Sequence, residues 1–173
     1  AVVGPGIVWV AYVFTGILGM NRTFALERDR GTLEGLLLAP VGRDVLFFGK
    51  MAGSFLFMVI VELAMFPIFA VLFNLSMVMP ELIPTALLAT LGIAAVGTVF
   101  AAMAVNTRSR EVMLPLLFLP VVLPVVVAAV EASGVIIGGG DVDDLTRWLP
   151  LLGVFDAVFL VVCPLAFNIV VQE

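Results

Sequence analysis

The chain of 173 residues has no histidine, one cysteine, one tyrosine and few charges, with Asp, Glu, Lys and Arg making up 12% of it. Each scarcity removes a class of function. Without histidine there is no Ser/His/Asp or Cys/His catalytic set, and the commonest side-chain ligand of zinc and of haem iron is missing. With Cys163 alone, no intrachain disulfide can form, and the residue reads as a small apolar filler in the last hydrophobic run. A soluble domain carries roughly 25% charged residues. The shortfall, with a mean hydropathy of +1.27, places the chain in a membrane.

What is present is a set of long apolar runs. Ala1 to Asn21, Leu82 to Thr107 and Val112 to Val130 carry no charge, Met51 to Pro80 carries only Glu62, and Trp148 to Gln172 only Asp156. Each reaches the roughly 20 residues a helix needs to cross the hydrocarbon. None shows the alternating polarity of short barrel strands, so backbone satisfaction in lipid leaves helices. The expectation is an all-α integral membrane protein of one domain, 1–173, with helices near 2–21, 51–73, 82–105, 112–131 and 148–171 and a polar segment at 22–50. The chain begins at Ala1 within an apolar run that lacks a signal peptide's basic flank and cleavage site, which suggests a piece of a longer protein with one more helix, six in all.

The cations set the orientation. Arg22, Arg28, Arg30, Arg43 and Lys50 lie between the first two runs, Arg108 and Arg110 between the third and fourth, and Arg147 alone on the other side. Short basic loops stay cytoplasmic, so the first helix enters from outside and the C-terminus ends inside. Cations gathered in two short loops form no binding face for nucleic acid, and no such partner is expected.

Two stretches imitate nucleotide or metal sites. Gly42 to Met51, GRDVLFFGKM, has six residues between glycine and GK where a P-loop has four, and methionine where magnesium needs a hydroxyl. Gly134 to Asp144, GVIIGGGDVDD, lacks both the dinucleotide fingerprint and EF-hand spacing, and reads as an outer turn. No bound cofactor, metal site or catalytic residue is expected, and the chain does not read as an enzyme.

The densest polarity is Glu27 to Pro40, ERDRGTLEGLLLAP. Glu27, Arg28, Asp29 and Arg30 lead it, Gly31 and Thr32 read as a break and an N-cap, Glu34 suits a first turn, and Pro40 ends the helix. Leu33, Leu36 and Leu37 share one face by i, i+3, i+4 spacing. Such a helix either lies in the interface or docks into a groove of a soluble partner.

Inside the runs, Glu62 and Asp156 are costly in lipid and read as lining a path or contacting a partner. The bland alternative, favoured for Asp156, is a place near an interface or a protonated, hydrogen-bonded group between helices. Pro67, Pro115, Pro120 and Pro124 give helix shape, Gly49 and Gly53 form a GxxxG pair, and Trp9, Tyr12 and Trp148 suit aromatic belts at the outer interface.

PGIVWVAYVFTGILGMNRTFALERDRGTLEGLLLAP, Pro5 to Pro40, closely resembles the first block of the CcmB family, the haem exporter B permeases of cytochrome c maturation. GKM at Gly49 to Met51, the proline at Pro67 and LPLLFLPVVLPVVV from Leu114 to Val127 extend the resemblance downstream. The resemblance implies an ABC-2 type permease in the bacterial inner membrane, working beside an ATPase subunit, CcmA, that holds the ATP. It also implies the membrane proteins CcmC and CcmD as partners, the haem chaperone CcmE as an indirect one, haem as substrate and a paired membrane unit. On that footing Glu27 to Leu37 is expected to couple to the ATPase, with Arg108 and Arg110 as a second cytoplasmic turn. Two other readings stay open: an ABC-2 exporter of a different lipophilic cargo, and an ion-coupled carrier using Glu62 and Asp156.

Overall fold

The computed structural model describes residues 3–32, 35, 38–74, 80–105, 110–140 and 142–170. Within these the chain is built from five long helices: α1 (Val3–Asp29), α2 (Arg43–Leu72), α3 (Leu82–Val105), α4 (Arg110–Ile137) and α5 (Val142–Val170). All five are long and apolar enough to cross a membrane, and no strand occurs among the described residues. The protein is an all-α, multi-pass membrane protein.

Successive helices alternate in direction. Trp9 near the start of α1 meets Ser133 near the end of α4, and Asp44 at the start of α2 meets Asn168 at the end of α5. One end of the bundle therefore gathers the end of α1 and the start of α2, and is called here the basic end. The opposite end, holding the start of α1 and the end of α2, is the far end.

α3 is the central helix. Of its most apolar stretch 67% is buried within the protein, against 11% for α2. Ala89, Ala94, Ala95 and Ala101 keep it thin, so α4 and α5 pack closely against it. Gly92 and Gly97 complete the effect: a Cβ on Gly97 would strike Met20 of α1 and lie 3.3 Å from Phe118 of α4. α2 instead shows Leu56, Ile60, Leu63, Ile68 and Val71 on its outer surface, where the solvent is lipid.

The helices run further than the apolar runs that announce them. α1 continues through Arg22 to Asp29, and α2 starts at Arg43 rather than near residue 51. Most of the charge expected in a 22–50 connecting segment thus belongs to helix ends, because polar side chains past the hydrocarbon edge do not stop a helix. What stops α1 is Gly31, at φ +67°, a left-handed conformation glycine adopts without Cβ strain. Gly134 to Ile137 likewise finish α4, and Gly138 to Gly140 form the described part of the far-end turn. Pro67, Pro115, Pro120 and Pro124 lie inside continuous helices, as do Pro150 and Pro164 of α5.

Candidate functional site

Among the described residues, polarity and open space combine at each end of the α1 and α2 pair. At the far end, the first turns of α1 and the last third of α2 splay around a cavity of about 360 Å³, closed by α3 and α4. Its walls carry Trp9 and Tyr12 from α1, Glu62, Phe66, Phe69 and Phe73 from α2 or its cap, Leu82 and Ala86 from α3, and Ser133 and Ile137 from α4.

A hydrogen-bond chain ties these walls together. Thr90 of α3 donates from Oγ1 to Glu62 Oε2 at 3.1 Å. A threonine has one hydroxyl proton, so the 3.0 Å contact between Tyr12 and Thr90 has the phenol as donor. The order is Tyr12 to Thr90 to Glu62, three helices joined through one buried hydroxyl. Beside it the Trp9 indole donates to Ser133 Oγ at 3.0 Å, and the Trp9 and Tyr12 rings meet edge to face at 5.7 Å.

Trp9 and Tyr12 are therefore not the interfacial anchors expected of them. Both are buried. Their apolar rings fill the bundle and their polar atoms find partners on α3 and α4, the usual condition for burying such residues. Trp148 is only partly buried.

The two membrane acids occupy different surroundings. Glu62 faces the cavity through the hydrogen-bond chain. Asp156 lies near the middle of α5, buried, with no hydrogen-bond partner for either carboxylate oxygen among the described residues. Of the two bland readings, a place near an interface and a hydrogen-bonded group between helices, neither is visible in this mid-helix position. Asp156 fits against Gly92 of α3, where a Cβ would come within 2.6 Å of Oδ1. Thr90 and Gly92 are two positions apart, about 200° around the helix axis. The acids thus address opposite sides of α3, and the fold does not assemble them into one ion path.

The second place lies at the basic end. Gly19, Met20, Thr23, Phe24 and Glu27 of α1 face Leu46, Gly49, Lys50 and Phe57 of α2 across a cleft of about 480 Å³. Lys50 forms an ion pair with Glu27, and its ammonium stands 5.3 Å from the centre of the Phe24 ring. The pair is largely withdrawn from solvent, with side-chain exposures of 11% for Lys50 and 27% for Glu27. Close by, Asn168 of α5 donates to Asp44 Oδ1 at 2.6 Å. Two polar latches therefore hold α2 to its neighbours at this end.

Of the charges that lead Glu27 to Pro40, Glu27 is latched inward, while Asp29 and Arg30 are exposed. The Thr32 hydroxyl donates to the Glu27 carbonyl at 2.9 Å, satisfying one of the open carbonyls at the end of α1. Leu33, Glu34, Leu36, Leu37 and Arg108 lie outside the described residues, as do the side chains of Arg28 and Arg110. Gly49 and Gly53 bring no helix of this chain close: a Cβ on either meets nothing within 4 Å. The P-loop imitation at Gly42 to Met51 is the first part of α2, a helix rather than a phosphate loop.

Comparison with known proteins places this architecture. A family model described as "CcmB protein" matches residues 1–173. The chain belongs to the CcmB family. Relatives of this CcmB chain include the heme exporter protein B of Pseudomonas aeruginosa, 31% identical over 133 residues, covering 75% of this chain and 60% of the relative. That of Haemophilus influenzae is 30% identical over 136 residues, covering 76% and 62%, and that of Paracoccus denitrificans 30% over 131, covering 75% and 60%. The aligned part thus spans about three-fifths of each of these curated relatives.

Proposed function

We propose that this CcmB-family chain is the membrane permease subunit of an ABC-type haem-export system serving cytochrome c maturation. It has no catalytic role in this reading; ATP is bound and hydrolysed by a separate ATPase subunit of the CcmA type. CcmC and CcmD are its membrane partners, CcmE the downstream haem acceptor, and a second permease copy completes a paired unit in the bacterial inner membrane. The basic end faces the cytoplasm, with the C-terminus on that side, because the Lys and Arg residues gather there.

The observation that carries this reading is the continuity of α1. Its first turns wall the far-end cavity through Trp9 and Tyr12, and its last turn bears Glu27, latched to Lys50 of α2. A helix of 27 residues is about 40 Å long, since each residue adds about 1.5 Å. Movement imposed on Glu27 to Pro40 by a nucleotide-driven partner would therefore reach the cavity walls through two rigid helices. The latch makes α1 and α2 respond together. No chemistry is required of this chain beyond docking, transmitting and opening.

Copurification tests the docking step. The natural chain should retain the ATPase subunit, and Glu34→Lys with Leu36→Asp should release it; undiminished retention would refute docking through this segment. Deletion of the gene tests the function as a whole. It should leave c-type cytochromes without haem while other haem proteins stay normal, and normal haem attachment would refute the assignment.

A further inference from the structure

The far-end cavity has a chemistry of its own. At about 360 Å³ it falls within the usual range for small-molecule pockets. Aromatic rings form a large part of its wall, and among the described lining residues Glu62 is the single carboxylate, with no lysine or arginine. Two of its donors are already engaged, the Trp9 indole with Ser133 and the Tyr12 phenol with Thr90, whose own hydroxyl reaches Glu62 from behind the wall.

Acceptor capacity is what the wall leaves over. An ionised carboxylate offers about four lone-pair positions, and one hydroxyl, from Thr90, is described as reaching Glu62. An anion entering here meets like charge and no cation. A neutral apolar molecule leaves Glu62 either to take up a proton or to stand uncompensated inside the membrane, and gains nothing from its charge. A cation with an apolar body satisfies both demands, because the carboxylate neutralises it and aromatic rings attract positive charge.

The geometry points to this cavity as a binding site for a lipophilic organic cation, held by Glu62 and enclosed by Trp9, Phe66 and Phe69. The site is independent of the haem assignment, since a tetrapyrrole with two carboxylates finds no cationic partner among the described lining residues. It gives the permease a second kind of ligand, either cargo or effector, recognised at the far end of α1 and α2.

Two ions of matched shape and opposite charge test it. The complete natural chain, purified in detergent, is dialysed to equilibrium against radiolabelled tetraphenylphosphonium or tetraphenylborate. Saturable binding of the phosphonium and none of the borate is expected. Glu62→Gln should weaken phosphonium binding at least tenfold, and Ala86→Phe, which fills the cavity without touching charge, should abolish it. Asp156→Asn, on the other side of α3, should bind as the natural chain does. Equal binding of the two ions, unaltered binding by Ala86→Phe, or competitive displacement of the phosphonium by haemin would overturn the proposal. Should Glu62→Gln fail to fold, the Ala86→Phe result and the borate comparison still decide it.

Discussion

Glu62 and Asp156 are fixed to opposite faces of one helix: Glu62 accepts a hydrogen bond from Thr90 of α3 at 3.1 Å, while Asp156 fits against Gly92, two positions further on. Groups that share no partner and lie across a packed helix contribute nearly independently, with coupling within about 0.5 kcal/mol. Glu62→Gln and Asp156→Asn should therefore combine additively, both in unfolding midpoint and in the logarithm of haem-delivery rate. A carrier passing an ion from one acid to the other would instead show one substitution masking the other. The double-mutant cycle separates these outcomes.

Thr90 is the keystone of the buried chain, and its two neighbours are not equivalent. Thr90→Val removes the donor to Glu62 and the acceptor for Tyr12 together, leaving two polar groups unsatisfied at about 1–3 kcal/mol each. Tyr12→Phe removes one donor and leaves Thr90 still bonded to Glu62, for a net loss of about 1 kcal/mol. Thermal unfolding in detergent should rank Thr90→Val well below Tyr12→Phe. Equal midpoints would mean the chain of hydroxyls carries no stability.

How much of this was legible beforehand depended on whether a feature is local. Run length and charge placed five membrane helices, because hydrocarbon thickness imposes about 20 apolar residues on any span. Helix ends were less legible. Hydropathy marks the edge of the lipid, but α1 ends at Gly31, where a left-handed φ is available, and not where charge begins at Arg22. The fates of Trp9 and Tyr12 were set by residues 124 and 78 positions away, Ser133 and Thr90. A composition rule for aromatic residues near a helix end cannot see such partners. The available signal was the hydroxyls themselves, single polar groups inside apolar runs that require a mate on another helix. Asp156 lies further into its helix than a count from Trp148 gives, since α5 begins at Val142.

Glycines divide by what surrounds them. A Cβ on Gly97 collides with Met20 and approaches Phe118 at 3.3 Å, so Gly97→Leu must push apart α1, α3 and α4. Overpacking of this kind costs about 1–3 kcal/mol, sometimes more. Gly53 has nothing within 4 Å, and Gly53→Leu should leave the unfolding midpoint of the isolated subunit within experimental error. If the paired unit closes through the outer face of α2, Gly53→Leu should still reduce cysteine cross-linking between copies. Unchanged cross-linking would place the pairing surface elsewhere.

The Lys50–Glu27 latch yields the sharpest prediction, because it separates docking from transmission. Lys50 lies outside the proposed docking segment, and Glu27, the first residue of that segment, is turned inward to the pair that joins the two helices bordering the cavity. Lys50→Glu places two carboxylates together in a partly buried site, where loss of one partner of an ion pair costs up to about 3–5 kcal/mol. Under the proposed function, the expected result is a chain that still copurifies with the ATPase subunit but supports haem delivery at least tenfold more slowly. Glu27→Lys should behave alike, by gathering two ammonium groups. Exchanging the pair, Lys50→Glu with Glu27→Lys, should restore most of the rate. Recovery should stop short of complete, since a carboxylate beside the Phe24 ring forgoes the attraction that the ammonium has at 5.3 Å. A double variant no better than either single one would show that the helices are coupled by packing alone.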